Sequence, residues 1–155
     1  GGYGLGKTHL ALATAKKSLW TFAKQYIERN PAAINRTDMA DPILFKSSTQ
    51  LIEDIRDCYD SELKNEQEVM SHFKNVRLLI IDDLGTEKAS EWQHEKMYSI
   101  LNYRYLQMLP TIITTNLGMA GLKKQVSERV VERMIEAAGE FLWEFKGKSY
   151  RRVNR

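Results

Sequence analysis

The sequence predicts an α/β fold built on a parallel sheet, and three stretches lead to this prediction. A glycine-rich segment at the start of the chain runs directly into a helical pattern. A nearly continuous apolar run over residues 76–81 is typical of a parallel strand that is covered on both faces. A β-branched run over 111–116 follows a helical segment and a proline, as a second strand would.

The glycine-rich segment matches the P-loop pattern G-x-x-x-x-G-K-[ST] over the first eight residues. In such a loop the backbone N–H groups and the N-terminus of the following helix bind phosphate, and the lysine reaches the outer phosphates. We therefore predict a nucleotide site in which the threonine hydroxyl also serves Mg²⁺. The residues predicted to contact the nucleotide are Gly1, Gly2, Gly4, Gly6, Lys7 and Thr8. Because a P-loop follows a strand, we expect at least one further strand and an N-terminal region upstream in the complete gene product.

The length and composition indicate one globular domain over residues 1–155. The chain has 43% hydrophobic residues and a net charge of +3, which is too small to identify an acidic ligand. Its one cysteine, Cys58, excludes an internal disulfide and a cysteine-based zinc cluster. No run approaches the roughly 20 apolar residues of a membrane span. We expect a cytoplasmic protein that does not associate with membranes.

The first half of the chain alternates between helical and strand patterns. We predict a helix from about residue 8 to 30, with an interruption near Ser18, in which Trp20, Phe22 and Tyr26 serve packing rather than base stacking. A polar loop follows over 30–42. The next elements predicted are a strand at 43–45, a helix at 50–59 and a helix at 66–75.

The apolar run over 76–81 ends in two carboxylates, which is the pattern of a Walker B motif. We predict that this strand lies beside the strand that enters the P-loop, because ligands bind at the carboxyl ends of strands in open α/β sheets. Asp82 would then hold Mg²⁺. Asp83 would orient or activate the attacking water. The alternative is a strand that simply ends in a turn rich in Asp and Gly.

A capping box at Ser90 and Gln93 predicts a helix that runs to about residue 108. The strand over 111–116 ends in Asn116, whose amide could hydrogen-bond the attacking water or the γ-phosphate. The alternative is an asparagine that forms the turn before Gly118.

The last motif is a pair of arginines, Arg129 and Arg133, four residues apart on one face of a predicted helix. Alone they could be solvated charges. The P-loop, residues 79–85, the strand end at 114–116, the helix that begins S-E-R-V and the residues 145–151 together resemble the AAA+ ATPase module of the DnaC/DnaI-type bacterial replicative helicase loaders. The IstB-type transposition helper ATPases share these elements.

This resemblance implies an AAA+ αβα core with a five-stranded parallel sheet, whose first strand is missing from this sequence, and little or no helical lid. It implies ATP and Mg²⁺ as ligands and a replicative hexameric helicase as partner. It assigns Arg129 as an arginine finger that reaches the ATP of a neighbouring subunit, so that self-association supports hydrolysis. It assigns Arg133 as a second sensor that touches ATP in its own subunit.

The resemblance also implies binding of single-stranded DNA through the helical segment 47–60, with Tyr59 stacking on a base. Residues 18–41 are longer than the corresponding link of the family, which suggests an insertion. Five positive charges in the last ten residues are either solvated or in contact with the phosphate backbone. The candidates among them are Lys146, Lys148, Arg151 and Arg152.

Four functions fit these features to different degrees. The first is an ATP-dependent helicase loader, and the second is a transposition helper of the same fold. A small-molecule P-loop kinase is disfavoured, because no arginine-rich lid or acceptor pocket is evident. A purely structural DNA-binding role without hydrolysis would predict that Lys7→Ala and Asp82→Ala leave activity unchanged.

Overall fold

The computed structural model describes residues 2–29, 42–59, 65–85 and 89–149. Along these segments helices separate parallel strands, which confirms the α/β class. Within them no helix combines the length and the apolar character needed to cross a lipid bilayer. In chain order the elements are α1 (Lys7–Arg29), β1 (Ile43–Ser47), α2 (Ser48–Arg56), α3 (Glu66–Asn75), β2 (Leu78–Asp82), α4 (Glu91–Leu106), β3 (Thr111–Ile113), α5 (Met119–Gln125), α6 (Glu128–Ala138) and a short 3-10 helix (Gly139–Phe141).

The sheet is parallel and has the order β1-β2-β3. Ile80 in β2 pairs with Phe45 on one side and with Ile112 on the other. Both edges of β2 are therefore occupied, and the prediction that this strand lies beside the strand entering the P-loop is wrong. The described residues provide three of the five strands that the resemblance implies.

The central strand β2 is buried on both faces, as its apolar run predicts. Leu78 and Ile80 pack with Ala11 of α1 on one face of the sheet. Leu79 and Ile81 face the larger core, to which α2, α3, α4 and α6 contribute. Because helices cover both faces, the molecule has three layers, with the sheet in the middle.

Helix α1 is continuous over 23 residues, so the predicted interruption near Ser18 does not occur. Phe22 packs against the sheet. Trp20 is 74% exposed, and its predicted packing role is wrong. Residues 18–29 of the suggested insertion form the second half of this helix, and residues 30–41 lie outside the described ranges.

Two helices begin with the same reciprocal capping arrangement. The Ser47 side chain accepts a hydrogen bond from the backbone N–H of Gln50, whose side chain accepts one from the Ser47 N–H. Ser90 and Gln93 do the same at the start of α4, as predicted. Such boxes satisfy backbone donors that would otherwise lack partners, so they fix where α2 and α4 begin. Since α2 follows β1 without a loop, its first turn lies at the carboxyl edge of the sheet.

An arginine in the core joins α3, α4 and β3. Arg104 is 1% exposed, and its guanidinium donates to the carbonyls of Phe73 (3.1 Å), Lys74 (3.0 Å) and Val76 (2.8 Å) at the end of α3. It also donates to the Pro110 carbonyl at 2.7 Å, and its Nε donates to the Thr111 hydroxyl at 2.9 Å. Burial lowers the pKa of Arg104 to about 10, so the group stays charged at neutral pH. The negative end of the α3 dipole stabilises this charge.

Candidate nucleotide-binding site

The P-loop turns directly into the first turn of α1. Gly6 has φ of 86°, a left-handed conformation that favours glycine, and its carbonyl accepts a hydrogen bond from the Leu10 N–H at 2.9 Å. Gly2 and Gly4 precede it in the described part of the loop, and Gly1 lies outside the described residues. The loop therefore ends at a helix N-terminus, where N–H groups and the helix dipole favour an anion.

The lysine of the loop joins it to the end of β3. Lys7 Nζ donates to the Gly2 carbonyl at 2.7 Å and to the Asn116 side-chain oxygen at 2.6 Å. Lys7 and Asn116 are 109 positions apart in the sequence, so the fold brings the loop and the strand end together. The ammonium group thus already lies between the loop and the polar amide predicted as a sensor.

A second contact joins the loop to the end of β2. The Thr8 hydroxyl donates to the two carboxylate oxygens of Asp82, at 2.9 and 3.1 Å. The hydroxyl of the buried Thr114 donates to the same carboxylate from the other side. Asp82 is therefore held between α1 and the end of β3.

The next residue, Asp83, is oriented by three neighbours. Its φ is 59°, a conformation that costs a non-glycine residue roughly 1 kcal/mol or more. Its N–H donates to the Thr114 hydroxyl at 3.0 Å, and its carbonyl accepts from the Ser48 hydroxyl at 3.2 Å. Its carboxylate accepts from the amide of Asn116. These contacts hold Asp83 in its strained turn, with the carboxylate next to the amide that also binds Lys7.

The turn after β2 packs closely against the turn after β3. Gly85 has φ of 85°, and a Cβ at this position would lie 2.8 Å from a methyl group of Leu117. The Leu84 N–H also donates to the Thr114 carbonyl at 2.8 Å. The close approach aligns the two strand ends that carry the acidic and amide side chains.

The available oxygen ligands suit Mg²⁺ bound together with a nucleotide. The described residues contain no cluster of three or more His, Cys, Asp or Glu that could hold a metal ion without further ligands. Mg²⁺ in nucleotide sites takes one or two protein ligands and completes its shell with phosphates and water. The carboxylate of Asp82 and the hydroxyl of Thr8 fit this requirement.

Comparisons with known sequences identify relatives of this chain. It is 26% identical over 149 residues to the replicative helicase loader DnaC of Escherichia coli strain K12, which covers 96% of this chain and 53% of that protein. It is 35% identical over 99 residues to the phage-like element PBSX protein XkdC of Bacillus subtilis strain 168, covering 58% of this chain and 37% of that protein. The chain thus spans about half or less of the length of these curated relatives. No protein-family model matches it.

A solved structure decides the family. The crystal structure of the DnaC helicase loader is 30% identical to this chain, with a TM-score of 0.63, and the match covers 88% of this chain and 71% of that one. The chain belongs to the DnaC helicase-loader family. This DnaC-family chain also shares its fold with AMPPCP-bound DnaA from Aquifex aeolicus, at a TM-score of 0.67 and 21% identity, covering 36% of that chain. The AAA+ P-loop fold predicted from the sequence is confirmed.

The two arginines of α6 each lie against a tyrosine of α4 in this DnaC-family chain. The Arg129 guanidinium is exposed and lies 4.6 Å from the ring centre of Tyr98 in α4. Arg133 lies 5.1 Å from the ring centre of Tyr105 and pairs with Glu136 at 3.2 Å. Tyr105 belongs to the last turn of α4, which leads to the start of β3. Arg133 therefore lies toward the edge of the sheet opposite Asn116.

Tyr59 is 59% exposed and lies at the edge of a small aromatic cluster. Its ring contacts Trp92 edge-on, with 6.1 Å between ring centres, and its hydroxyl donates to Glu66. Glu66 also pairs with Lys96, and this hydrogen bond is the main cause that lowers the pKa of the Glu66 carboxyl. The ring is accessible from solvent while its hydroxyl is anchored.

The basic C-terminal segment is described only in part. Lys146 is exposed and pairs with Glu144 at 3.1 Å, and Lys148 is exposed. Arg151 and Arg152 lie outside the described residues. The predicted phosphate contact of this segment therefore stays a prediction.

Sequence reasoning gave no role to Thr114, although it contacts both acidic residues of the site. A threonine in a β-branched run is expected as a strand former, so its residue type does not indicate a role in the site. Its position at the carboxyl end of the strand, two residues before Asn116, is the feature that could have singled it out.

Proposed function

We propose that this chain is the ATPase domain of a helicase loader, which binds ATP and Mg²⁺ at the P-loop and hydrolyses ATP when assembled. The observation that carries the proposal is the convergence of Lys7, Thr8, Asp82, Asp83 and Asn116 from three separate segments. Membership of the DnaC family supports helicase loading over the transposition and kinase alternatives.

In the nucleotide complex the loop would bind the phosphates through backbone N–H groups and Lys7. Thr8 and Asp82 would hold Mg²⁺, which when bound neutralises charge on the phosphates. Lys7 has to exchange its contact with Asn116 for the phosphate, which frees the oxygen of that amide. The amide can then orient the attacking water while its N–H₂ stays on Asp83.

Hydrolysis would depend on Asp83, whose carboxylate accepts a proton from the attacking water or aligns that water. Thr114 and Ser48 keep the Asp83 backbone in place, so the carboxylate does not have to be ordered during the reaction. The positive charge that neutralises the transition state would come from Arg129 of a neighbouring subunit. Its exposure on the surface of α6 supports a role in trans.

For Arg133 we retain the proposal of a sensor that touches ATP in its own subunit. This role requires the side chain to leave Glu136 and Tyr105, because both partners lie toward the other end of β3. A movement of α6 on assembly would be needed. The proposed partners are the replicative hexameric helicase, further copies of this chain and single-stranded DNA at Tyr59.

The nucleotide site is tested by replacing Lys7 with alanine in the full-length protein. We expect binding of a fluorescent ATP analogue with Mg²⁺ to weaken about 10- to 100-fold, because one charge-assisted contact to phosphate is lost. Asn116→Ala is the matched control, since it removes the other side chain of the same contact. It should keep ATP affinity within a few-fold and lower hydrolysis. Unchanged ATP affinity of Lys7→Ala would contradict the proposed site.

A further inference from the structure

The outer face of α1 carries an exposed tryptophan that the nucleotide site does not explain. Trp20 is nine residues from Ala11, which places it about 180° around the helix from this buried residue. Ala11, Ala15 and Phe22 face the sheet, and Trp20 therefore points to solvent with 74% of its surface exposed. An exposed aromatic ring of this size forgoes a large part of the stabilisation that burial would give.

Three lysines surround this ring at helical spacing. Lys16 and Lys17 precede Trp20 by four and three residues, and Lys24 follows it by four. Residues at these separations are neighbours on a helix surface. All three are exposed, and the sole acidic residue of α1, Glu28, lies 3.9 Å from Lys24 in an exposed pair. Such pairs contribute little and exchange readily with other anions.

An aromatic face among exposed positive charges fits a particular class of partner. Unpaired bases stack on aromatic rings while their phosphates contact lysines, and this combination binds single strands of any sequence. The segment around α2 is less suitable for a polyanion, because Glu53, Asp54 and Asp57 lie there, and Lys46 pairs with Asp54 at 2.7 Å. Charge therefore makes α1 a second surface that suits a nucleic acid backbone.

We propose that the outer face of α1, formed by Lys16, Lys17, Trp20 and Lys24, binds single-stranded DNA. One base stacks on Trp20, and the lysines contact the phosphates on either side. Lys16 and Lys24 are eight residues apart, about 12 Å along the helix, so they contact different phosphates. This surface lies on the opposite face of the sheet from α2 and Tyr59. It does not depend on the proposed stacking at Tyr59.

The test measures binding of a fluorescein-labelled oligothymidine to the full-length protein by anisotropy over a range of NaCl concentrations. Trp20→Ala should weaken binding about tenfold, because a stacked base is lost, and Trp20→Phe should retain most of the affinity. A triple variant, with Lys16→Ala, Lys17→Ala and Lys24→Ala in one protein, is compared with the unmodified protein. It should reduce the slope of log affinity against log salt concentration by about 2. Each lost phosphate contact accounts for about 0.7 of that slope.

Leu12→Ala is the matched control, because Leu12 is 46% exposed on a flank of the same helix. It should leave DNA affinity unchanged. Tyr59→Ala is measured in parallel, so that the two proposed DNA surfaces are tested separately. If the Trp20 and lysine variants bind DNA like the unmodified protein, the α1 proposal is wrong, whatever Tyr59→Ala does. The α1 proposal is also wrong if the Trp20 and lysine variants keep their affinity for DNA and lose only binding to anionic phosphatidylglycerol vesicles or only capture of the helicase.

Discussion

Arg129→Ala is expected to bind ATP normally and to lose assembly-stimulated hydrolysis by about 10³-fold or more. An arginine supplied by a neighbouring subunit neutralises charge that develops in the transition state. Its removal is therefore expected to lower the hydrolysis rate by about this factor. Arg129 has no contact with the P-loop side chains among the described residues, so ATP binding within one subunit should not change. The measurement is the hydrolysis rate per subunit as a function of protein concentration, with ATP affinity determined separately.

Mixing two inactive variants distinguishes a role in trans from a role in the same subunit. A mixture of Arg129→Ala and Lys7→Ala proteins contains interfaces in which an intact Arg129 faces a subunit with an intact P-loop, so part of the hydrolysis should return. Arg133→Ala is the matched control on the same helix. Because Arg133 is proposed to act in its own subunit, its mixture with Lys7→Ala should stay inactive. Absence of recovery with Arg129→Ala would contradict the assignment in trans.

Arg104→Met is expected to lower the free energy of unfolding by at least about 3 kcal/mol. The substitution leaves the buried carbonyls of Phe73 and Val76 without the guanidinium that they now bind in the core, and it also removes the partly buried hydrogen bond to the Pro110 carbonyl. Each buried polar group left without a partner costs roughly 1–3 kcal/mol. Urea denaturation of the two proteins, followed by circular dichroism, measures the difference.

Arg77→Met is the matched control for Arg104. Arg77 is exposed and lies 4.2 Å from the ring centre of Phe22, so its loss should cost less than about 1 kcal/mol. The loss in the free energy of unfolding for Arg104→Lys should lie between those of the other two variants, since a lysine keeps the charge but cannot reach as many carbonyls. A loss for Arg104→Met as small as that for Arg77→Met would show that the arginine does not join α3, α4 and β3.

The positions of the candidate nucleotide-site residues could be predicted because each motif is tied to one place in the fold. A P-loop precedes a helix, Asp82 is the last residue of a parallel strand and Asn116 follows another, so all three had to meet at the carboxyl edge of the sheet. The neighbour of β2 could not be predicted in this way. Strand order depends on which edges pair, and an apolar run does not specify its neighbours.

Residue type predicts the wrong burial for the side chains of Trp20 and Arg104. Tryptophan is usually buried to a large extent and arginine is usually exposed, so composition predicts the opposite of what the structure has at both positions. Trp20 is exposed because helical phase turns it away from the sheet. Arg104 is buried because α3 ends where its carbonyls can accept the guanidinium. Both outcomes depend on tertiary packing rather than on local pattern.

The most direct test of the central claim is ATP-dependent capture of the cell's replicative helicase by the full-length protein. We expect the tagged protein to retain the helicase in the presence of ATP and Mg²⁺, and Lys7→Ala to lose the ATP-dependent part of this capture. A transposase encoded at the same locus, where there is one, serves as the comparison partner. Capture of the transposase without the helicase would contradict the helicase-loader function and assign the same ATPase site to transposition.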